Sequence, residues 1–294
     1  MWQTLKQLGM QHRKKLLITF AIVALENILF LIYPLFGSFA VNAVMAGKPW
    51  QALSYAALVL LMWSVGALRR SVDTRTFARI YSQLVVPVIV GQRVRGQTPS
   101  AISARVALSR EFVDFFEMHL PTAITSLVSL IGASVMLLML EFWSGVLSVV
   151  VLLIFGWMMS GFTRIGNRLY QVLNNRLEHD VQLINAAPEQ SLRKHYAFIA
   201  ELRILISYRE ATGYLCIGIA AAILFGFTLV WITLNGYGSA GHIYAVTTYL
   251  WMFAMSLDDV PRLVETYSNL QDIAKRVEIG VEVKVSLRFR LFLK

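Results

Sequence analysis

Polar side chains within apolar stretches are the first candidates for chemistry in this sequence. Glu26 and its neighbour Asn27 lie inside an apolar stretch that spans residues 16–36, and Asp258 and Asp259 lie near the end of a later one. Ionisable groups in an apolar environment are costly, and they often mark a substrate pathway or a proton relay. These four residues are therefore the candidates for a polar site, as a cavity or as a relay.

These carboxylates also have structural interpretations. Glu26 has no basic residue near it in sequence, so a hydrogen-bonded carboxyl at a helix contact and a cavity or proton-relay role explain it equally well. Asp258 and Asp259 precede Arg262 at helical spacing, which favours an ion pair along one helix. The sequence offers no catalytic constellation and no cluster with metal-ligand spacing. Cys216 is the single cysteine, which excludes a disulfide within the chain.

The composition predicts an integral membrane protein. Of 294 residues, 57% are apolar and 15% are charged, and the mean hydropathy is +0.60. A soluble domain of this length has too little interior to bury so much apolar surface. Much of that surface must therefore face lipid.

Six stretches are long enough and apolar enough to cross a bilayer core of about 30 Å. The first begins after a basic patch at residues 11–15 and continues past Pro34 without a small-residue cleavage site, which favours a retained helix over a signal peptide. The predicted spans are 16–36, 52–68, 120–140, 143–163, 212–234 and 242–261.

The basic residues are concentrated on one side of the membrane in this predicted layout. If the N-terminus, residues 69–111, residues 164–211 and the C-terminal tail share one side, that side holds every one of the 27 Lys and Arg residues except Lys48. The positive-inside rule then places both termini in the cytoplasm, in a bacterial inner membrane. The net charge of +10 therefore reflects topology, and no nucleic-acid partner is expected.

The two long connections carry apolar residues at helical spacing over 69–86 and 103–119, and over 164–186 and 199–211. Each membrane helix should therefore continue into the cytoplasm, turn and return. The fold class is thus an all-α membrane protein of six transmembrane helices with long cytoplasmic extensions.

Residues Gly91–Thr98 fit part of a phosphate-binding loop pattern. Gln97 stands where that loop needs a lysine, and the surrounding pattern is helical rather than strand–loop–helix. A helical turn punctuated by glycine is the expected structure.

Several short segments carry a resemblance to a known family. They are Gly96–Arg105, Phe115–Pro121, Gly241–Ala245 with Ser256, Leu257 and Pro261, and Tyr267–Val277. Together with the six-helix layout, they resemble the transmembrane domain of a six-helix ABC exporter, and the resemblance covers about residues 10–279.

The resemblance implies a domain-swapped homodimer whose helices enclose a substrate cavity and whose cytoplasmic turns dock on ATPase domains. The short coupling helices that dock would lie in segments 87–98 and 190–201, with the coupling candidates Gln92, Arg93, Arg95, Arg193, Lys194 and His195. The first and sixth helices of such exporters help to line the cavity, which adds the aromatic candidates Tyr33, Phe36, Tyr249 and Phe253 to the four polar ones. Ordinary packing between helices explains the same aromatic residues.

An exporter half carries an ATPase domain after its sixth helix, whereas about thirty residues follow Pro261 here. We therefore expect no cofactor and no catalysis in this chain, with ATP and Mg²⁺ on a separate subunit. The expected function is transport of an apolar, amphipathic or peptide-like substrate. One alternative is a proton-driven transporter that resembles bacterial peptide-uptake permeases, and another is a non-transporting module that binds a partner or lipid.

The C-terminal tail, residues 280–294, departs from the helical pattern. Val281–Leu291 alternates apolar and polar residues, which is typical of a strand. It is equally explained as a disordered basic tail that touches anionic membrane lipids.

Overall fold

The computed structural model describes residues 13–94, 96–178, 188–236 and 238–260, and every long element within these ranges is a helix. This confirms the all-α fold class. Arg95, Arg262 and the predicted tail strand lie outside the described residues. The helices are α1 (Arg13–Met45), α2 (Pro49–Val94), α3 (Pro99–Asp114), α4 (Leu120–Leu140), α5 (Phe142–Glu178), α6 (Glu189–Asn235) and α7 (240–260).

The helices are long because apolar and polar helical segments follow one another without a break. α2 has 46 residues and α6 has 47. At 1.5 Å per residue each is roughly 70 Å long, more than twice a bilayer core of about 30 Å. Even Pro87 is accommodated within α2, which continues to Val94. The extension of α2 through 69–86 and of α6 through 199–211 follows the periodicity of the sequence.

Among the described residues, five helical segments are long and apolar enough to cross a membrane: Arg13–Met45, Pro49–Val94, Phe115–Leu140, Phe142–Leu177 and Glu189–Asn235. The sixth predicted span, 242–261, falls on α7, which is described to residue 260. That the chain crosses the membrane six times stays a prediction.

Three very short connections join successive helices. Residues 46–48 link α1 to α2, Glu141 alone links α4 to α5, and residues 236–239 link α6 to α7. Gly47 and Gly236 have φ angles of 65° and 89°, in the left-handed region that a glycine adopts without a Cβ clash. Because α1 and α2 are joined by so few residues and pack against each other, they form a tight helical hairpin.

A π-helical turn, Phe115–His119, joins α3 to α4. Such turns often occur at functional sites in helical proteins. Just before it, Arg110 pairs with Asp114 at 2.9 Å, and the Arg110 guanidinium lies 5.2 Å from the centre of the Tyr81 ring. Arg110 and Asp114 are four residues apart, so this ion pair lies along one face of α3.

The chain divides into two compact units. The first holds the chain up to Gly132 and also Ser239–Ala245, while the second holds Ala133–Gly238 and residues 246–260. The first has small apolar cores around Leu29, Leu58 and Val65 and around Phe77, Leu84 and Val113. The second has a core of Leu173, Ile199, Leu202 and Ile206.

Candidate functional site

An ionic cluster lies between α1 and α2 and is formed by Glu26, Arg69 and Asp73. The Arg69 guanidinium contacts the Glu26 carboxylate directly through Nη1 and Oε2, and its Nε donates to Asp73 Oδ2 at 3.3 Å. The side chains of Arg69, Glu26 and Asp73 are 20%, 32% and 9% exposed. One cation thus serves two carboxylates, and we call these three residues the ionic cluster.

The hairpin geometry explains why these residues meet. α1 and α2 are antiparallel and are joined by residues 46–48, so residues equally distant from that turn lie opposite each other. Glu26 and Arg69 are nearly equidistant from it, although they are 43 residues apart in sequence. The carboxylate in the middle of predicted span 16–36 therefore lies level with the residue that follows predicted span 52–68. Glu26 consequently has a basic partner that its sequence neighbourhood did not reveal.

Asn27 does not join this cluster. Its side chain is buried, and its Nδ2 donates to the backbone carbonyl of Val23 at 2.8 Å. The amide therefore satisfies a carbonyl of its own helix. The structure separates the two neighbours that sequence reasoning grouped as one polar site.

Three tyrosines lie close together near the C-terminal half of α1, nearer to the hairpin turn than Glu26. The rings of Tyr33 and Tyr55 lie 5.2 Å apart, and the hydroxyls of Tyr55 and Tyr244 are 3.2 Å apart. Gly37 leaves the space for this arrangement, because a Cβ there would overlap the Tyr244 ring. We call Tyr33, Tyr55 and Tyr244 the tyrosine cluster. Tyr55 and Tyr244 were not among the predicted site residues, and no local sequence signal indicated their contacts with Tyr33 and with each other.

The predicted cavity residues differ in exposure. Phe36 is half-buried beside Leu29 and Leu58, whereas Tyr249 and Phe253 are fully buried. In this conformation the burial of Tyr249 and Phe253 favours packing over the lining of an open cavity. Asp258 is exposed and Asp259 is half-buried, and Arg262, their expected partner, lies outside the described residues.

The predicted coupling residues fall on two helix ends. Gln92 and Arg93 belong to the last turn of α2, where Gln92 is buried and its Oε1 has no hydrogen-bond partner within the described part of the chain. Arg93 is exposed, and the turn that follows contains Gly96 at a φ of 65°. Residues 91–94 are helical, so the Gly91–Thr98 stretch is a helix end and a glycine turn, as the sequence indicated.

The second set of coupling residues lies in the first turns of α6. Arg193 pairs with Glu189 at 2.8 Å, and both side chains are about four-fifths exposed, at 80% and 78%. Lys194 is exposed, whereas His195 is buried with its ring 5.4 Å from that of Tyr196. Arg193 and Lys194 are thus available at the surface and His195 is part of the packing.

No group of three His, Cys, Asp or Glu side chains lies close enough to hold a metal ion among the residues that the structure describes. The ionic cluster contributes two carboxylates to one guanidinium, so both acidic groups share a single cation. Its chemistry is therefore that of a clamp between two helices.

A comparison with known families gives one match. The chain matches the ABC transporter transmembrane region over residues 5–241, which is well over half of its length. A comparison with curated proteins finds no match. The family match and the long apolar helices show an integral membrane protein and a component of transport, and the transmembrane region of such transporters is not itself catalytic.

Proposed function

The chain belongs to the ABC transporter transmembrane family, and from that premise we propose that it moves an apolar, amphipathic or peptide-like substrate by alternating access. ATP and Mg²⁺ bind a separate subunit in this proposal. The observation that carries it is the length of α2 and α6, 46 and 47 residues. Rigid helices that extend tens of ångströms beyond a bilayer of about 30 Å can carry motion at a soluble partner into the membrane.

In this proposal the ATPase subunit binds at the ends of these helices. Gln92 and Arg93 close α2, and Arg193 and Lys194 open α6. The exposed cations of Arg93 and Lys194 offer hydrogen-bond donors and positive charge to an ATPase surface. We propose that these ends dock on the ATPase in the cytoplasm, with both termini on the same side, and that two copies of the chain form the transporter in the inner membrane.

The residues that we propose to contact substrate lie on α1, α2 and the start of α7. The tyrosine cluster presents aromatic faces and hydroxyls together, which suits aromatic or amphipathic substrates. The Glu26 charge is already engaged by Arg69, so a cationic substrate would have to compete with that guanidinium. We therefore place substrate contact at the tyrosines and a positioning role at the ionic cluster.

Site-specific photo-cross-linking tests the partner. A photoreactive residue at Arg93 or Lys194 is expected to capture an ATP-binding subunit from the native membrane. Matched positions at Leu60 and Leu229, which are exposed on the apolar parts of α2 and α6, should capture none. Capture of no ATP-binding protein from either helix end would contradict the proposal.

A second candidate function is proton-driven transport on the same scaffold. The observation in its favour is the ionic cluster, which places two carboxylates next to the predicted membrane spans. Uptake of a fluorescent dipeptide into ATP-free proteoliposomes under an imposed pH gradient, and its loss in Glu26→Gln, would support it. Transport that ignores the gradient and survives Glu26→Gln would exclude it.

A further inference from the structure

A groove of about 560 Å³ lies along the α1–α2 hairpin next to its turn. One wall is apolar and belongs to α1, and the other is polar and belongs to the turn and the start of α2. We call it the hairpin groove. Its main lining residues are Phe36, Phe39, Ala43 and Ala46 on the first wall and Lys48 and Gln51 on the second.

We propose that the hairpin groove binds an anionic phospholipid of the surrounding membrane. The phosphate contacts the Lys48 ammonium, and one acyl chain lies along Phe36 and Phe39. The site is separate from the ionic cluster and the tyrosine cluster, and it goes beyond the transport function proposed above.

The dimensions of the apolar wall match one leaflet. Phe36, Phe39 and Ala43 follow at helical spacing and therefore share one face of α1, and Ala46 follows them in the turn. From Phe36 to Ala46 the helix rises about 15 Å, which is half of a bilayer core of about 30 Å. A wall of this length accommodates the acyl chain of a lipid whose headgroup lies level with the turn. A small soluble anion would use only the lysine end.

The position of the turn supports a headgroup there. Trp50, next to the turn, is 84% exposed, as is typical of the aromatic residues that lie at a membrane interface. Lys48 is exposed, and none of the ion pairs formed by the described residues includes it. In the predicted topology, Lys48 is the single Lys or Arg residue on the external side of the membrane. Lys48 is therefore the cation that a negatively charged headgroup contacts at this end of the hairpin.

Polar groups beside Lys48 suit the glycerol and phosphate region of a lipid. Gln51 and Ser54 lie one turn apart on α2, and Asn42 faces them from α1. Asn42 is fixed in place because its Oδ1 accepts a hydrogen bond from the backbone N–H of Gly241 at 2.9 Å. The groove thus sets a polar wall opposite an apolar wall, with the Lys48 ammonium at the end next to the turn.

Fluorescence quenching by brominated lipids tests the proposal locally. A Cys216→Ser, Met45→Cys protein carries a fluorophore at residue 45, which is 76% exposed beside the groove. It is reconstituted with phosphatidylglycerol or phosphatidylcholine brominated near the headgroup. We expect phosphatidylglycerol to bind about fivefold more tightly, which is the factor for one lysine at an anionic membrane surface.

Two variants and one control complete the test. Lys48→Gln should remove the preference for phosphatidylglycerol, and Ala46→Trp should also remove it by filling the groove while the charge remains. Lys14→Gln, which removes the same charge at the opposite end of α1, should leave the preference unchanged. Equal quenching by both lipids in the parent protein would overturn the proposal.

The groove could instead be covered by a second copy of the chain. A Phe39→Cys protein in the Cys216→Ser background distinguishes the two, because Phe39 is 64% exposed in the groove. Lipid occupancy predicts no disulfide between copies on oxidation in liposomes. A disulfide-linked dimer through residue 39 would overturn the lipid assignment.

Discussion

The α1–α2 hairpin and the antiparallel helices α5 and α6, which we call the second hairpin, are held together by different interactions. In the first, Arg69 joins two carboxylates, Glu26 and Asp73. In the second, the Arg209 guanidinium lies 4.1 Å from the centre of the Phe162 ring, and its Nε donates to the Phe162 carbonyl at 3.1 Å. One hairpin depends on an arginine shared by two carboxylates and the other on an arginine packed against an aromatic ring.

The second hairpin repeats this aromatic arrangement further along. Arg176 lies 4.8 Å from the centre of the Phe198 ring, and the Tyr170 hydroxyl donates to Glu210 at 3.0 Å. Gly166 provides the space for Arg209, because a Cβ there would come within 2.5 Å of the guanidinium. Since an arginine stacked on a ring needs no carboxylate, the loss of one partner should cost less here than in the ionic cluster.

The largest effect is expected for Arg69→Leu, which leaves two partly buried carboxylates without their cation. Removal of one partner of such a pair should lower the free energy of unfolding by about 3 kcal/mol. Denaturation of the purified protein in mixed detergent and SDS micelles measures it. Arg70→Leu is the matched control, because Arg70 is the exposed neighbour and its loss should change little.

A triple variant sharpens the same prediction. When Arg69→Leu is combined with Glu26→Gln and Asp73→Asn, the cluster becomes neutral, and most of the lost stability should return. If the triple variant is as unstable as Arg69→Leu alone, the clamp does not act through its charge.

A smaller effect is expected for Arg209→Ala in the second hairpin. It removes one hydrogen bond and one cation–π contact, which together are worth about 1–2 kcal/mol. The same unfolding assay measures it, with the exposed Arg203→Ala as the control. A loss as large as that of Arg69→Leu would remove the distinction between the two hairpins.

Tyr244→Phe should cost about 1 kcal/mol or less, because it removes the hydroxyl contact to Tyr55 but keeps the ring against Gly37. Tyr214→Phe, at a 69% exposed tyrosine, is the control for stability. If the tyrosine cluster contacts substrate, the two variants should also differ in transport. Identical transport by both would argue against that contact.

The smallest effect on stability is expected for Arg193→Glu at the start of α6. The Arg193–Glu189 pair is almost fully exposed, so its loss should change the free energy of unfolding by about 0.5 kcal/mol or less. Differential scanning calorimetry of the purified protein measures this change. A larger loss would mean that Arg193 stabilises the fold and is unsuitable as a probe of docking.

The sequence predicted the elements well but the partners poorly. Helical periodicity and the glycine turns were enough to anticipate the all-α fold and the long extension of α2, because both are local properties. The Glu26–Arg69 and Arg209–Phe162 contacts join residues 43 and 47 positions apart, and no local pattern encodes them. The Arg110–Asp114 pair differs, because it joins residues within about one helical turn and a local pattern can encode it.

Local sequence patterns were also insufficient to predict which residues meet in the candidate site. Aromatic residues on the first and sixth helices were expected around a cavity, yet Tyr249 is buried while Tyr33 joins Tyr55 and Tyr244. Which aromatic residue packs inward depends on the rotation of each helix about its axis. Sequence spacing defines a face, and packing decides where that face points.

The central claim is that the ends of α2 and α6 couple this membrane subunit to a separate ATPase. The most direct measurement is the Mg-ATP hydrolysis that co-purifies with the chain from its native membrane, compared between the parent protein and the Arg93→Glu, Arg193→Glu double variant. Hydrolysis is expected with the parent protein, and its loss is expected with a variant of equal stability. Equal hydrolysis in both preparations, or none in either, would contradict it.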